Sequence, residues 1–303
     1  LLENVGGVYA PLLAGARSIV PPSSVTGMSY AGPDAQRLLA CVASAEPDSL
    51  ILVPELLKLL VMAAERGWRV PPSLKFVAVG GASVPVEMLE RAAAARLPVF
   101  EGYGLSECAS VVCLNAPGAR RAGSAGRPLP HARVRIAEDG QVMVSGVTMR
   151  GYLGDAARRP DEEWPTGDLG EIDDDGYVYV RGRLSNMYIT SFGRNVAPEW
   201  VEREIALEPG IRHVMVHGEA RPYAVAIVSA VRESADAAAI DRAIAAANAR
   251  LPDYAQVRRW ARAPEPFTFE NGLLTSNGRL RRPEIARRYG VLLDSLYRDA
   301  VAS

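Results

Sequence analysis

The chain has 303 residues, 49% of them hydrophobic and 23% charged, with a formal net charge of −1. That length holds two or three packed units, and the balance is that of an ordinary globular protein. A net charge so close to zero gives no reason to expect nucleic acid or an anionic membrane as a partner.

Three cysteines, Cys41, Cys108 and Cys113, lack C-x-x-C spacing. They argue against a disulfide framework or a zinc site and suit a reducing, cytoplasmic compartment. His131, His213 and His217 are too scattered to build a metal cluster. The uncharged stretch at residues 4–16 is interrupted by glycine and proline and is too short for a membrane span. No secretory signal precedes it. The chain starts at Leu1, within an apolar stretch and without methionine, so a piece of a longer polypeptide is expected.

In chain order, residues 34–45 carry helical apolar spacing, and Val53-Pro54-Glu55-Leu56 opens a second helix that Gly67 ends. Residues 74–79 form a buried-strand run closed by Gly80-Gly81. A helix at 86–95 and a strand at 97–100 follow. Strand, helix and strand with short loops predict a parallel sheet covered by helices. After about residue 120 the pattern changes. Asp139-Gly140 lies between Val134-Arg135-Ile136 and Gln141-Val142-Met143-Val144, and Asp175-Gly176 lies between Gly170-Glu171-Ile172 and Tyr177-Val178-Tyr179-Val180. Both read as hairpins, so this section is expected to be antiparallel and barrel-like. From about Leu184, strands at 213–217 and 223–231 and helices at 198–206, 236–249 and 283–289 predict a small α+β domain. No internal repeat is evident on this reading.

Three polar segments stand out, each read as a loop. Glu101-Gly102-Tyr103-Gly104-Leu105-Ser106-Glu107 offers a ring for a base, a hydroxyl for a phosphate and a hard oxygen ligand for Mg2+. It fails as a dinucleotide fingerprint because no third glycine follows at the required spacing. Thr166-Gly167-Asp168 reads as a tight turn whose carboxylate can accept from both ribose hydroxyls, and Arg181-Gly182-Arg183 supplies an arginine fork. Residues 272–282, with Thr275-Ser276-Asn277-Gly278-Arg279, place a cation at the tip of a polar turn. Singly, these segments are ordinary turns and basic loops.

Their order resembles the acyl-adenylate-forming superfamily of AMP-binding enzymes, which includes acyl-CoA synthetases, amino-acid adenylation domains and luciferases. Five motifs carry the resemblance: Tyr103-Gly104-Leu105-Ser106-Glu107, Thr166-Gly167-Asp168, Gly182-Arg183, Gly193-Arg194-Asn195-Val196-Ala197-Pro198 and Asn277-Gly278-Arg279. It implies an α/β fold: a partial large domain, with a parallel sheet and helices at 1–120 and an antiparallel, barrel-like subdomain at 121–183. A mobile α+β C-terminal domain at 184–303 would follow.

By the same resemblance Tyr103 would stack on adenine, with Gly104 beside it. Ser106 would contact the α-phosphate, Glu107 would hold Mg2+, and Asp168 would bind the ribose. Arg183 would reach ribose or phosphate near the hinge. Gly80, Gly81 and Ala82 would line the acyl and adenine pockets, and Gly193 would approach the pantetheine arm of coenzyme A, where a side chain would obstruct a tunnel. Arg279 would take the catalytic lysine's place. The reaction implied is attack of a carboxylate on ATP, giving an acyl-adenylate, then attack by a thiol. The small domain would swing between the two steps, exchanging the 279 loop for the 193 loop.

The chain departs from the pattern in two ways. The phosphate-cradling loop that ends in Pro-Lys is absent, so the chain alone is expected to be inactive, and the N-terminal part of the same polypeptide becomes an expected partner. The lysine position holds Arg279, whose planar fork cannot act as a compact cation. The usual hinge residue is Ser185. Ala82, Leu105, Val111 and Val112 suggest a pocket for an aliphatic or aromatic acid, and Cys108 and Cys113 are expected in its wall. The leading expectation is a fatty-acid–CoA ligase using ATP, Mg2+ and coenzyme A. The alternatives are a ligase that loads a carrier-protein thiol, or a non-catalytic nucleotide-binding member. A minority reading gives Arg281, Arg282, Arg287 and Arg288 to the coenzyme A 3′-phosphate.

Overall fold

The computed structural model describes residues 9–29, 32–154, 156–159, 162–208, 210–230, 236–275 and 278–298. The chain divides into two compact units between Arg181 and Gly182. The fold is the expected α/β type.

In the first unit two single-turn helices, at Ala10–Leu13 and Ser23–Thr26, precede helix α1 (Ala35–Ala45), whose N-cap Asp34 accepts from the Arg37 amide at 3.2 Å. A five-stranded sheet follows in the order β1 (Ser49–Leu52), β2 (Phe76–Val79), β3 (Val99–Leu105), β4 (Ser110–Leu114) and β5 (Arg127–Pro128). Its first three strands are parallel and its last two are antiparallel to their neighbours. Helix α2 (Pro54–Glu65) starts on proline, as the sequence predicts, and helix α3 (Val86–Ala94) packs beside it. Leu57, Leu60 and Val61 of α2, Met88, Leu89 and Ala92 of α3, and Val77, Val79 and Val99 of the sheet are all buried. Removing their apolar surface from water is the main stabilising term, about 25 cal/mol per Å2.

The antiparallel section is a four-stranded meander: β6 (Arg133–Ile136), β7 (Gln141–Ser145), β8 (Trp164–Ile172) and β9 (Val178–Arg183). Gly140 and Gly176 both have φ near +81°, which explains the Asp-Gly pairs at these turns. Val142, Val144 and Val178 pack against Cys108, Val112 and Cys113, fastening the meander to the β3–β4 ribbon.

In the second unit, β10 (Ile211–His217) and β11 (Ala224–Ala230) are antiparallel, and β12 (Val257–Arg262) runs parallel to β11. β11 is buried on both faces, hence its apolar sequence, interrupted only by the buried Ser229. Ala224, Ala226 and Val228 enter one core with helices α4 (Pro198–Ala206) and α5 (Ala237–Asn248). Val225 and Ile227 enter another with α6 (Arg282–Arg288) and α7 (Gly290–Arg298). Among the described residues no helix is long and apolar enough to cross a membrane.

Candidate functional site

The first motif is not a loop. β3 continues from its parallel stretch straight through Gly102-Tyr103-Gly104-Leu105, where it turns to antiparallel pairing with β4. Gly104 is explained by that pairing. A Cβ there would lie 1.6 Å from the Ser110 carbonyl oxygen and 2.8 Å from the Val111 Cα, so the neighbouring strand, not a ligand, forbids a side chain. The ribbon ends in a single 3-10 turn at Ser106–Cys108, followed by Ala109 and Ser110 with φ of 56° and 94°. Two consecutive non-glycine residues in that region store backbone strain directly beside the motif.

Tyr103 leaves the ribbon with its hydroxyl donating to Oδ2 of Asp168 at 2.6 Å. Asp168 is 8% exposed and lies on β8, in a register shift between Pro165 and Leu169, rather than on the expected tight turn. The bulge forms because Gly167 takes φ +74°. Its shape is fixed from β7: the Thr166 hydroxyl donates to the Val142 carbonyl at 2.8 Å, and the Gly167 amide donates to Gln141 Oε1 at 3.0 Å. The Asp168 amide in turn donates to the Thr166 hydroxyl at 3.1 Å. Folding thus joins two motifs 65 residues apart through one short bond to a carboxylate.

Gly80, Gly81 and Ala82 follow β2 at the carboxyl ends of the parallel strands, the side on which open α/β sheets bind ligands. Gly80 is explained by proximity, since a Cβ would meet the Gly102 carbonyl at 3.3 Å, and Gly81 by its φ of +88°. Gly81 and Ala82 are exposed. The segment is pinned by the buried Glu101 carboxylate, which accepts from the Val84 amide at 3.4 Å and the Gly123 amide at 3.0 Å. Sequence reading gave Glu101 no role. Its one signal is a charged residue inside an apolar strand.

Ser106 is exposed. Glu107 accepts from the Tyr152 hydroxyl at 2.6 Å, and its carbonyl accepts from the Met149 amide at 2.7 Å, which ties the segment after β7 to the motif. Tyr152 is a second residue that motif reading missed. No group of three or more metal-ligating side chains occurs among the described residues.

Two pocket expectations are corrected. Cys108, Cys113 and Val112 are fully buried, and Leu105 packs on the same core between ribbon and meander. They hold the ribbon in place, and Cys108, Val112 and Cys113 have no exposed surface with which to line a pocket wall. Burial pushes the Cys113 thiol up to about 12 and, with the Glu107 charge, the Cys108 thiol up to about 11.

In the second unit Arg183 ends β9 and is half-buried. Gly193 lies on a hairpin tip with φ +73°, and a Cβ there would meet nothing within 4 Å. The left-handed backbone by itself favours glycine at this position. Arg279 is exposed on a second hairpin, closed by the Leu274–Leu280 bridge; Ser276 and Asn277 lie outside the described residues. The basic cluster behind it is mostly ion-paired within the unit. Arg282 bridges to Glu202, Arg287 to Glu284 at 2.5 Å and Arg288 to Glu265 at 2.6 Å. Those pairs engage three of the cluster's four arginines. Glu202 also accepts from the Val216 amide at 2.7 Å, and burial pushes its carboxyl up to about 7 against the pull of Arg282.

Comparison with known proteins bears on this geometry. The model of the AMP-binding enzyme family matches residues 2–153, and that of the AMP-binding enzyme C-terminal domain matches 186–301. The chain is 28% identical over 246 residues to long-chain-fatty-acid–CoA ligase FadD15 of Mycobacterium tuberculosis, covering 72% of this chain and 41% of that protein. It is 30% identical over 300 residues to putative fatty-acid–CoA ligase fadD11 of the same species, covering 89% and 52%. Its fold matches O-succinylbenzoate coenzyme A synthetase from Bacillus subtilis in complex with AMP, with a TM-score of 0.72, 22% identity, and coverage of 93% of this chain and 58% of that one. The chain spans about half, or less, of the length of the curated relatives it matches. With one family model over residues 2–153 and its C-terminal companion over 186–301, and the Tyr103 and Asp168 motifs joined in the first unit, the chain belongs to the AMP-binding enzyme family.

Proposed function

We propose that the chain is part of an ATP-dependent acid–thiol ligase that activates a carboxylic acid, in the first instance a fatty acid, and passes it to coenzyme A. The observation that carries this is the Tyr103–Asp168 bond, which puts an aromatic face and a buried carboxylate in one wall. That pair suits a nucleoside: the ring takes the base and the carboxylate accepts from ribose hydroxyls. Fatty acid as substrate is supported by the names of the two mycobacterial relatives.

Mg2+, bound by Glu107 and nucleotide phosphates, would offset the phosphate charge. The protein's own residues do the rest. Asp168 and Tyr103 fix the nucleoside, Ser106 offers a hydroxyl to the α-phosphate, and Glu101 holds the Gly80–Ala82 backbone beside it. Arg279 brings a permanent cation to the carboxylate and phosphate during adenylation. The phosphate-cradling loop comes from a further segment of polypeptide. Support for such a segment is the exposure of Leu12, Leu13, Ile19, Val20, Ile51 and Val53, together with the one-sided pairing of β1.

The test is acid-dependent AMP release and thioester formation across a panel of fatty and aromatic acids, with this chain alone and with a longer polypeptide that supplies the loop. The proposal expects activity from the longer protein only, with a fatty acid preferred. AMP release from the chain alone would overturn the need for the added segment. An aromatic preference would overturn the substrate class.

A further inference from the structure

The hairpin that carries Arg279 ends on a buried ion-pair cluster. The Arg281 amide donates to the Leu273 carbonyl at 2.9 Å, which closes the hairpin, and the next residue, Arg282, is the first of α6. A cation in the first turn opposes the helix dipole, so helix formation gives no reason for arginine there. Its side chain is nonetheless only 16% exposed.

Three segments of the second unit meet around that guanidinium. Glu199 and Glu202 stand one turn apart on α4 and both face Arg282, Glu202 in a direct pair and Glu199 at 3.9 Å. Glu202 is itself fixed from β10, the edge strand of its sheet, where the Val216 amide donates to the carboxylate at 2.7 Å. Glu199 accepts from the Asn186 side chain, in the 3-10 turn Leu184–Asn186 that follows Arg183. Gly182 packs against the same helix start, since a Cβ there would lie 2.8 Å from the Ala197 Cβ and 3.3 Å from Glu199 Oε2.

The neighbouring arginines are held differently. Arg287 pairs with Glu284, three residues away, and its side chain is 76% exposed. An exposed pair of that kind contributes little. Arg282 instead reaches across 80 residues to Glu202, and a buried fork shared between two carboxylates fixes direction as well as position.

We propose that Arg282 is the positioning residue for Arg279: gripped by Glu202 and Glu199, it sets where the hairpin presents the Arg279 guanidinium, and it touches no substrate itself. The effect on turnover rests on the ligase reading, whereas the anchoring of the hairpin does not. Two residues separate Arg279 from the grip, and the Arg281–Leu273 bond and the Leu274–Leu280 bridge leave little slack between them. A displacement at position 282 therefore carries to the cation, and a misplacement of about 1 Å in a reacting group can cost roughly 100-fold.

The test has two arms. The first is hydrogen exchange of this chain at pH 7 in parent, Arg282→Met and Arg282→Lys forms. Burial already pushes the Glu202 carboxyl up to about 7, so it takes up a proton when its partner is removed, and Arg282→Met is spared an unpaired buried charge. The Thr275, Arg279 and Arg281 amides, all bonded within the hairpin, are expected to exchange at least about 10-fold faster in Arg282→Met, the factor one charge-assisted bond carries. The Val225–Val228 amides of β11 should stay within twofold of the parent, and Arg282→Lys should fall between. No acceleration in the hairpin, or equal acceleration in hairpin and β11, would overturn the proposal.

The second arm is pyrophosphate exchange in the longer polypeptide. Arg282→Met is expected to lower the maximal rate by about 10- to 100-fold with KM for ATP within twofold, and Arg282→Lys to recover part of the loss. In an Arg279→Ala background the same change should add less than twofold, because it acts through the cation already removed. A full further loss in that background would overturn the proposal. Hairpin release in a protein whose parent catalyses no exchange would keep the anchor and refute the ligase; an unmoved hairpin in such a protein would refute both.

Discussion

Replacing Gly104 with alanine isolates the claim that the Tyr103 motif is a strand held by its neighbour. The new Cβ would sit 1.6 Å from the Ser110 carbonyl oxygen and 2.6 Å from its carbon, both backbone atoms that cannot swing away. Ordinary contact needs about 3.5 Å, so the ribbon must open by about 2 Å. That breaks the register at Gly104–Val111 and Leu105–Ser110, with a hydrogen-bond loss of roughly 1 kcal/mol each. It also displaces Leu105, Val112 and Cys113 in the core beneath, for a total of about 2–4 kcal/mol. Urea unfolding can be read for the first unit alone in a background with Trp200 and Trp260 replaced by phenylalanine, which leaves Trp68 and Trp164 as reporters. A Gly104→Ala protein within 0.5 kcal/mol of its parent (about the size of a neutral surface change) would refute the ribbon geometry.

Further predictions concern ionisation and thiol chemistry. Burial and the Arg212 charge hold His213 down to about 4, against an ordinary value of 6.5. The unfolded chain therefore binds the extra proton first, and His213 withdraws stability as pH falls from 6.5 to 4, by on the order of 2 kcal/mol after allowance for partial exposure. Glu202, held up to about 7, has the opposite sign: its contribution is complete below about 4.5 and is lost as pH rises to 7. His213→Gln should accordingly convert a nearly flat profile of second-unit stability into one that rises on acidification from pH 7 to 4.5; an unchanged profile would contradict the assignment. Cys108 and Cys113 should resist a thiol reagent at pH 8 until the first unit unfolds, since both are buried and poorly ionised. Rapid modification of either in the native protein would disprove their place in the core.

Much of this was legible because it rests on local chemistry. Asp-Gly pairs announced the meander turns, Pro54 and Pro198 announced helix starts, and the apolar run at 223–231 announced the strand β11. The misreadings came from contacts that local spacing does not encode. Gly102 and Gly104 lower strand propensity, so the motif read as a loop, while the close approach of Ser110 that requires Gly104 is invisible before pairing is known. Gly167 read as a turn because a bulge uses the same left-handed glycine. Cys108 and Cys113 looked like pocket residues because their burial depends on a meander that lies later in the chain. The Tyr152 bond to Glu107 spans 45 residues and has no sequence mark at all.

The most direct measurement is acid-dependent exchange of pyrophosphate into ATP, in a protein that carries this chain with its phosphate-binding portion, in parent, Asp168→Asn and Arg279→Ala forms. The account predicts exchange in the parent only when a carboxylic acid is present. It predicts a raised KM for ATP in Asp168→Asn, and a kcat lowered by on the order of 100-fold or more with KM little changed in Arg279→Ala. Exchange that ignores the acid, or an alanine variant at position 279 as fast as the parent, would contradict it.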